Sequence, residues 1–379
     1  MKKCIVISDS FKGTLSSLEI CRIARESIPR FFPDCQVITA PVADGGEGLV
    51  ECFEAAIGAQ PVTVSVTGPL GKPVRATYAR KDKTAIVEMA AAAGLPMMGR
   101  NGDPARTTTY GVGELIRHAI ENGCTEILLG LGGSATNDGG CGCAAALGTG
   151  FYDIHGNRFI PTGATLEQIE TIRVPDGWTL PEDVRITVMC DVTNPLYGPT
   201  GAAYVFAPQK GADAEKVKSL DAGLRHFGDV IRSQYGLDVS AMPGAGAAGG
   251  MGAGCVALLG AELRRGIEVV LDVVGFDALL ADADLVITGE GRIDAQSTHG
   301  KVVGGVARRA HARGVPVFAI VGDVGDDAYG AYDVGVSAIF SINRLAVPRD
   351  EAKARSHIDY THTLDDLLRC IRAAEQFKR

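Results

Sequence analysis

Hydrophobic residues along this chain gather in short runs that stop at glycine or an acid, with amphipathic stretches between them. Runs of four to eight mostly apolar residues are buried on both faces, as the strands of a parallel sheet are. Residues 3–8, KCIVIS, are the first such run and end at Asp9. Behind Ser16, a residue type that caps helices, Leu18, Ile20, Ile23, Ala24 and Ile28 fall near helical spacing, and Pro33 closes the segment. A second strand is expected over Gln36 to Ala40, followed by PVADGGEG at 41–48 and a helix from Leu49 to Ala56. The chain therefore opens as βαβα, the start of a doubly wound parallel sheet.

From about Pro61 the period changes to two. VTVSV, a Gly68-Pro69-Leu70-Gly71 turn, PVRATYA and TAIVEMA alternate like antiparallel strands joined by hairpins. A helix is expected over Thr107 to Asn122, then a buried strand from Ile127 to Leu131. Residues 151–183 are polar and turn-rich, with Pro161, Pro175 and Pro181 limiting regular structure. A strand over Arg185 to Met189, an amphipathic helix over 213–234 and a glycine-dense segment, PGAGAAGGMGAG at 243–254, complete the middle. Past Asp282 the first rhythm returns: a strand in DLVITGEGRID, a helix to about Arg313, the strands PVFAIVGD and SAIFSIN, and a terminal helix. Two early and three late strands make five. The fold class expected is α/β with two domains. A discontinuous flavodoxin-like (Rossmann-like) parallel-sheet domain, 1–62 with 283–379, is interrupted by a larger mixed α/β domain, 63–282.

Composition narrows the function classes. At 379 residues, with 46% hydrophobic and 22% charged residues, the chain builds two cores without strain on its composition. The net charge of −8, without any basic stripe, excludes a nucleic-acid partner. Apolar runs stop well short of the roughly 20 residues a membrane span needs, and no signal peptide is read at the N-terminus. Ten cysteines without a CxxC pair give neither a zinc site nor a disulfide framework, and a reducing cytoplasm is the expected compartment. An anionic substrate would be met locally, by single Lys or Arg residues, loop N–H groups or a divalent cation.

The candidate chemistry sits where strands end. EILLGLGGSATNDGG, residues 126–140, runs from a buried strand into Gly132, Gly133 and Ser134 before a helix near Cys141, which is the build of an anion cradle. The glycines at 243–254 make a second cradle or, equally, a close helix crossing. Asp9, Asp44, Asp138, Asp191 and Glu290 each follow an apolar strand, with Lys12, Arg292 and Lys301 close by. Any one of them reads as a turn residue; five together, at the strand ends where parallel sheets bind ligands, read as one cleft between the domains. Carboxylates, isolated cations and glycine cradles suit magnesium-assisted phosphoryl transfer. No GxxxxGK[ST] and no protein-kinase signature is present. DSFKGT at 9–14 resembles an aspartate-nucleophile phosphatase or phosphotransferase, with GDVGDD at 322–327 as its acidic loop, but Phe11 stands where that superfamily has a second aspartate. A non-catalytic nucleotide or metabolite sensor is the alternative of another class. His118, His226, His311, Met97, Met98 and Trp178 read as packing or surface residues.

In the order DSFKGTLS, PVADGGEG, LGLGGSATNDGG, CDVTNPL, GAGAAGGMG and DLVITGEGRIDAQSTHGK, from Asp9 to Lys301, the chain resembles the bacterial type-1 glycerate kinases (glycerate 2-kinase). Each motif is weak alone and the ordered set is specific. The resemblance implies ATP- and Mg²⁺-dependent phosphorylation of D-glycerate, generally to 2-phosphoglycerate, on a two-domain α/β scaffold. On these motif positions, Gly132, Gly133 and Ser134, with Gly246, Gly249 and Gly250 as a second set, are expected at the ATP phosphates. Ser10, Lys12 and Arg292 are expected at the substrate, and Lys301 at the substrate carboxylate or the phosphoryl in transfer. Asp191 or Asp44 is expected to take the hydroxyl proton, and Glu290 or Asp138 to hold the metal. The oligomeric state, a homo-oligomer included, is left open.

Overall fold

The computed structural model describes residues 1–42, 48–173 and 179–376, apart from the side chains of 100, 101, 298 and 299. The chain is mixed α/β and divides into two compact units, one of Met1–Asp44, Glu51–Gly58 and Gly266–Arg379, the other of Gly45–Val50 and Ala59–Arg265.

The first unit is built on a five-stranded, all-parallel sheet with the order Ala338–Ser341, Val317–Val321, Leu285–Thr288, Lys3–Val6, Gln36–Thr39. Counted along the chain, from the Gln36 edge, the order is 2-1-3-4-5, with its reversal beside Lys3–Val6. The N-terminal strand pairs Cys4 with Leu285, Ile5 with Val286 and Val6 with Ile287. All six residues are buried, as unbroken apolar strands covered on both faces must be. The helix Ser17–Phe31 begins at a capping box: Glu19 N donates to Ser16 Oγ at 3.1 Å and Ser16 N to the Glu19 carboxylate at 2.8 Å. It turns Ile20, Ile23, Ala24 and Ile28 inward, while Arg30 donates to Asp365 at 2.9 Å on the long helix Arg349–Gln376. Pro29 lies inside this helix, which has already ended when the chain reaches Pro33.

The limits of the first unit differ from the expected 283 start because two short helices, Gly266–Val273 and Phe276–Leu279, belong to it. Arg309 holds them, with contacts of 2.6 Å to Glu268, 2.7 Å to Asp272 and 3.2 Å to Asp277. A charge network of this kind has no strand or helix period for a sequence reading to detect.

The second unit carries a six-stranded mixed sheet in the order Glu262–Arg264, Arg185–Met189, Glu126–Gly130, Thr84–Glu88, Pro73–Lys81, Gln60–Thr67. Its first four strands run parallel and the last two form antiparallel pairs, Val64 opposite Ala76 and Ala79 opposite Ile86. The core gathers Tyr78, Val87, Leu129, Phe151, Phe227 and Met251, all fully buried. Burying each such side chain contributes about 1.5–3 kcal/mol against the ordering of the chain. Residues 151–183, read as turn-rich, contribute to a small antiparallel sheet of Gly150–Tyr152, Arg158–Phe159 and Thr171–Arg173. Its strands have two or three residues, too short to show alternation. The helix expected from Thr107 starts at Tyr110 instead, because the Thr107 and Thr109 hydroxyls are buried and bonded to neighbouring loops. Among the described residues no helix is long and apolar enough to cross a membrane.

The crossing of helices Tyr110–Glu121 and Cys141–Ala146 is set by Gly113, where an added Cβ would lie 2.3 Å from the Cys143 carbonyl oxygen. Gly113→Ala is expected to cost about 2–3 kcal/mol in chemical denaturation, as overpacking against backbone does. Gly236→Ala, at a left-handed helix end with open space around it, is expected to cost only about 1 kcal/mol. Equal losses would mean that the crossing is not close-packed.

Candidate active site

In the first unit the expected strand-end residues converge. Asp9, Ser10 and Lys12 follow the N-terminal strand, Glu290 and Arg292 follow Leu285–Thr288, and Lys301 directly precedes the helix Val302–His311. All six line one cavity of about 690 Å³. Main-chain contacts fix these loops to one another: Asp9 N donates to Gly289 O at 2.9 Å and Gly322 N to Glu290 O at 3.1 Å. Asp9 also accepts from Ser10 N at 2.7 Å, which turns the chain sharply at the strand end. The cavity is lined as well by Asp294, Asp323, Asn343, Arg349 and Lys353. Sequence reasoning missed the last three. Asn343 follows the last strand, so the strand-end rule that found Asp9 would have found it; Arg349 and Lys353 carry no such signal.

Glu290 is the most constrained of these groups. It is 5% exposed, and its Oε1 has no hydrogen-bond partner among the described residues. Burial pushes its carboxyl up to about 7, with the charges of Asp9 and Asp294 adding to the rise, and a hydrogen bond from Ser297 and the Lys301 charge opposing it. Lys301 is itself 3.6 Å from Asp294. A buried carboxylate oxygen without a donor is what a proton or a divalent cation would satisfy. Among the described residues no preformed cluster of three or more metal-ligating side chains exists. Mg²⁺ does not need one, because it keeps waters and takes one or two carboxylates with phosphate oxygens.

In the second unit the loop after Glu126–Gly130 presents Gly132, Gly133 and Ser134 at its partly exposed rim. Three of its carbonyls are bonded to other segments of the protein. Gly133 O accepts from Leu95 N at 2.8 Å, Ala135 O from Thr107 Oγ1 at 3.1 Å and Thr136 O from Lys210 Nζ at 2.6 Å. With these acceptors spent on the protein, the loop can meet an anion with N–H groups and a hydroxyl.

Asp138 does not share that rim. It is fully buried, and its carboxylate accepts from Thr109 N at 2.7 Å, Thr109 Oγ1 at 2.9 Å, Gly140 N at 3.2 Å and Gly142 N at 3.3 Å. Burial pushes its carboxyl up and these hydrogen bonds pull it back. The group serves as the internal brace of its loop, and the oxygens expected at a metal are occupied. Gly246, Gly249 and Gly250 are likewise buried rather than open to a phosphate. An added Cβ would stand 2.2 Å from Pro195 O at Gly246, 2.1 Å from Thr136 O at Gly249 and 2.6 Å from a Leu224 methyl at Gly250. The space that a second cradle would need holds protein, so this segment is the close crossing.

Asp191 is exposed two residues past the end of Arg185–Met189, and Gly132 stands two past Gly130. Because Met189 pairs with Gly130, the two follow adjacent strand ends. Asp44 and Trp178 lie outside the described residues. Two of the three histidines singled out have structural partners: His118 Nδ1 lies 3.2 Å from Tyr78 OH and His226 Nε2 2.7 Å from Ile169 O.

With that geometry in place, the model of the Glycerate kinase family matches residues 4–372. The chain is 44% identical over 355 residues to a glycerate kinase of Bacillus cereus, covering 92% of this chain and 93% of the relative. It is 44% identical over 353 residues to the glycerate 2-kinase of Escherichia coli K12, with the same coverage of 92% and 93%. A Salmonella typhimurium LT2 protein, crystallised under the provisional name glycerate kinase 2, superposes with a TM-score of 0.87 at 41% identity, covering 99% of each chain.

The raised carboxyl of Glu290 has a thermodynamic consequence. The native state holds a proton that the unfolded carboxyl loses above about 4.5, so stability falls as pH rises from there through about 7. In metal-free buffer, Glu290→Gln is expected to unfold at higher temperature than the parent by a margin that opens across this window and then stays constant. The plateau should be roughly 1–3 kcal/mol. A margin independent of pH would mean that Glu290 ionises as an ordinary carboxylate.

Proposed function

The chain belongs to the glycerate kinase family, and from that premise we propose that it transfers the γ-phosphoryl group of ATP to the 2-hydroxyl of D-glycerate. The observation that carries this reading is the cavity of the first unit, where Lys12, Arg292 and Lys301 stand with Asp9 and the buried Glu290 at the strand ends. The bond from the γ-phosphorus to the ADP oxygen breaks, a bond from the glycerate oxygen to phosphorus forms, and the hydroxyl proton passes to a carboxylate. Lys12 and Arg292, both exposed at the cavity, pair with the glycerate carboxylate, and Ser10 beside them adds a hydroxyl. Lys301 stabilises the negative charge on the phosphoryl in transfer.

The phosphates of ATP lie against Gly132, Gly133 and Ser134, whose loop has the Gly133, Ala135 and Thr136 carbonyls bonded to the protein. Asp191 or Asp44 takes the hydroxyl proton, and Glu290 would hold the cation. Mg²⁺ bound with ATP would supply positive charge that offsets the charge of the phosphates. The strand order 2-1-3-4-5 supports a flavodoxin-like assignment of the first unit, and the two units are assigned as domains. Ten free cysteines, six of them 2% exposed or less, support a reducing cytoplasm as the compartment.

Incubation with MgATP and D-glycerate, followed by phosphorus NMR, is expected to show 2-phosphoglycerate with matching ADP, against a control without glycerate. A 3-phosphoglycerate signal would overturn the position of transfer, and intact ATP would overturn the substrate. Lys12→Ala is expected to raise the KM for glycerate by roughly 10-fold to 100-fold, the worth of a hydrogen bond to a charged group, with the KM for ATP little changed. Unchanged glycerate kinetics would remove Lys12 from the substrate site.

A further inference from the structure

Among the described residues one buried cation has no part in the proposed reaction. Lys210 is 2% exposed, and its Nζ donates to Ser134 Oγ at 2.8 Å and to Thr136 O at 2.6 Å. We propose that Lys210 is a positioning residue for the nucleotide phosphates, setting the 132–136 loop from below through Ser134 and Thr136. This rests on the reading of that loop as the ATP cradle.

Three features carry it. First, burying an ammonium is costly, and an apolar side chain of the same length would fill the volume without that cost. What the ammonium adds is the pair of hydrogen bonds, both to the one loop. Second, the backbone that launches Lys210 is fixed. Lys210 N donates to Ala207 O at 3.0 Å, and the neighbouring Gly211 is so close to Gly102 that an added Cβ would meet its carbonyl oxygen at 2.1 Å. A stem held this firmly places Nζ, and Nζ in turn sets the hydroxyl of Ser134. Third, the Thr136 hydroxyl and both polar atoms of the Asn137 amide are fully buried beside it with no partner among the described residues. The loop therefore carries more polar capacity than the protein satisfies, as a loop shaped for a polar ligand or its waters does.

Burial pulls the Lys210 ammonium down to about 7, and Asp138, on the same loop, opposes the fall. An anion seated on the loop adds to the opposition, so occupied cradle and charged lysine favour each other.

The test is ADP binding by calorimetry, with steady-state kinetics, on the full chain. Lys210→Met keeps the stem and removes the donors; it is expected to weaken ADP binding and raise the KM for ATP by tenfold or more, with the KM for glycerate within about twofold. Ser134→Ala alone is expected to weaken ADP binding severalfold, and to add less than about twofold when placed on Lys210→Met, since the two act as one unit. Unchanged ADP affinity in Lys210→Met, or losses that simply multiply, would overturn the proposal. Gly133→Asp, which sets a carboxylate on the exposed rim, separates it from the underlying reading. If Gly133→Asp binds ADP normally the cradle itself is elsewhere, whereas loss of binding there with normal binding in Lys210→Met overturns only the role of Lys210. Should Lys210→Met fail to fold, Lys210→Gln, a shorter side chain that cannot span both contacts, is put through the same measurements with the same deciding outcomes.

Discussion

The first unit depends on one pairing, that of Lys3–Val6 with Leu285–Thr288. These strands are separated by most of the chain, and closing so long a loop has an entropic cost that local turns do not carry. The pairing offsets it by burying six apolar residues and by setting the point at which the strand order reverses. Ligands of doubly wound sheets bind at that point, outside the carboxyl ends of the strands. Beyond the paired residues Ile7 N bonds to Ile287 O and Asp9 N to Gly289 O, so the DSFKGT and GEGR loops become neighbours as a direct result of register. A slip of one residue would move every side chain to the opposite face of the sheet and separate them.

The loop of the second unit is organised by a different constraint, the disposal of backbone carbonyls. A tight turn after a buried strand leaves acceptors that must find donors. Here Leu95 N, the Thr107 hydroxyl and the Lys210 ammonium supply them, each from a separate segment. Asp138 performs the opposite task by accepting from the N–H groups of Gly140 and Gly142 as the next helix begins. Acceptors turned inward on one side and donors consumed on the other leave Gly132 to Ser134 as the rim that differs from both.

Much of this was legible from periodicity. Runs such as CIVI and LVIT announce strands buried on both faces, and Ser16, a capping residue type, marks a helix start within one residue. The cavity residues Ser10, Lys12, Glu290, Arg292 and Lys301 could be named because parallel strands deliver their ends to one edge. What stayed hidden has no period. Arg309 binds three acids on two short helices, Lys210 meets atoms more than seventy positions away, and the small sheet from Gly150 to Arg173 has strands too short to alternate. Glycine-rich sequence was the least decisive signal. The same residue type forms a rim at Gly133 and admits neighbouring backbone at Gly249, and only the surroundings separate the two.

Asp138 and Glu290 show why strand-end acids need the structure before they are given chemistry. Both follow an apolar strand within a glycine-rich turn, both are almost completely buried, and burial raises the carboxyl of each. What divides them is the supply of donors. Asp138 has four within hydrogen-bond distance, which stabilise its ionised form and leave no oxygen for a ligand. Glu290 has a buried oxygen with none among the described residues, and the residue lines a cavity where Lys12, Arg292 and Lys301 stand among Asp9, Asp294 and Asp323. A satisfied carboxylate holds a fold together, and an unsatisfied one carries a standing cost that a proton or a cation relieves. The donor count around a buried acid therefore separates brace from reagent where sequence grammar alone gives both the same reading.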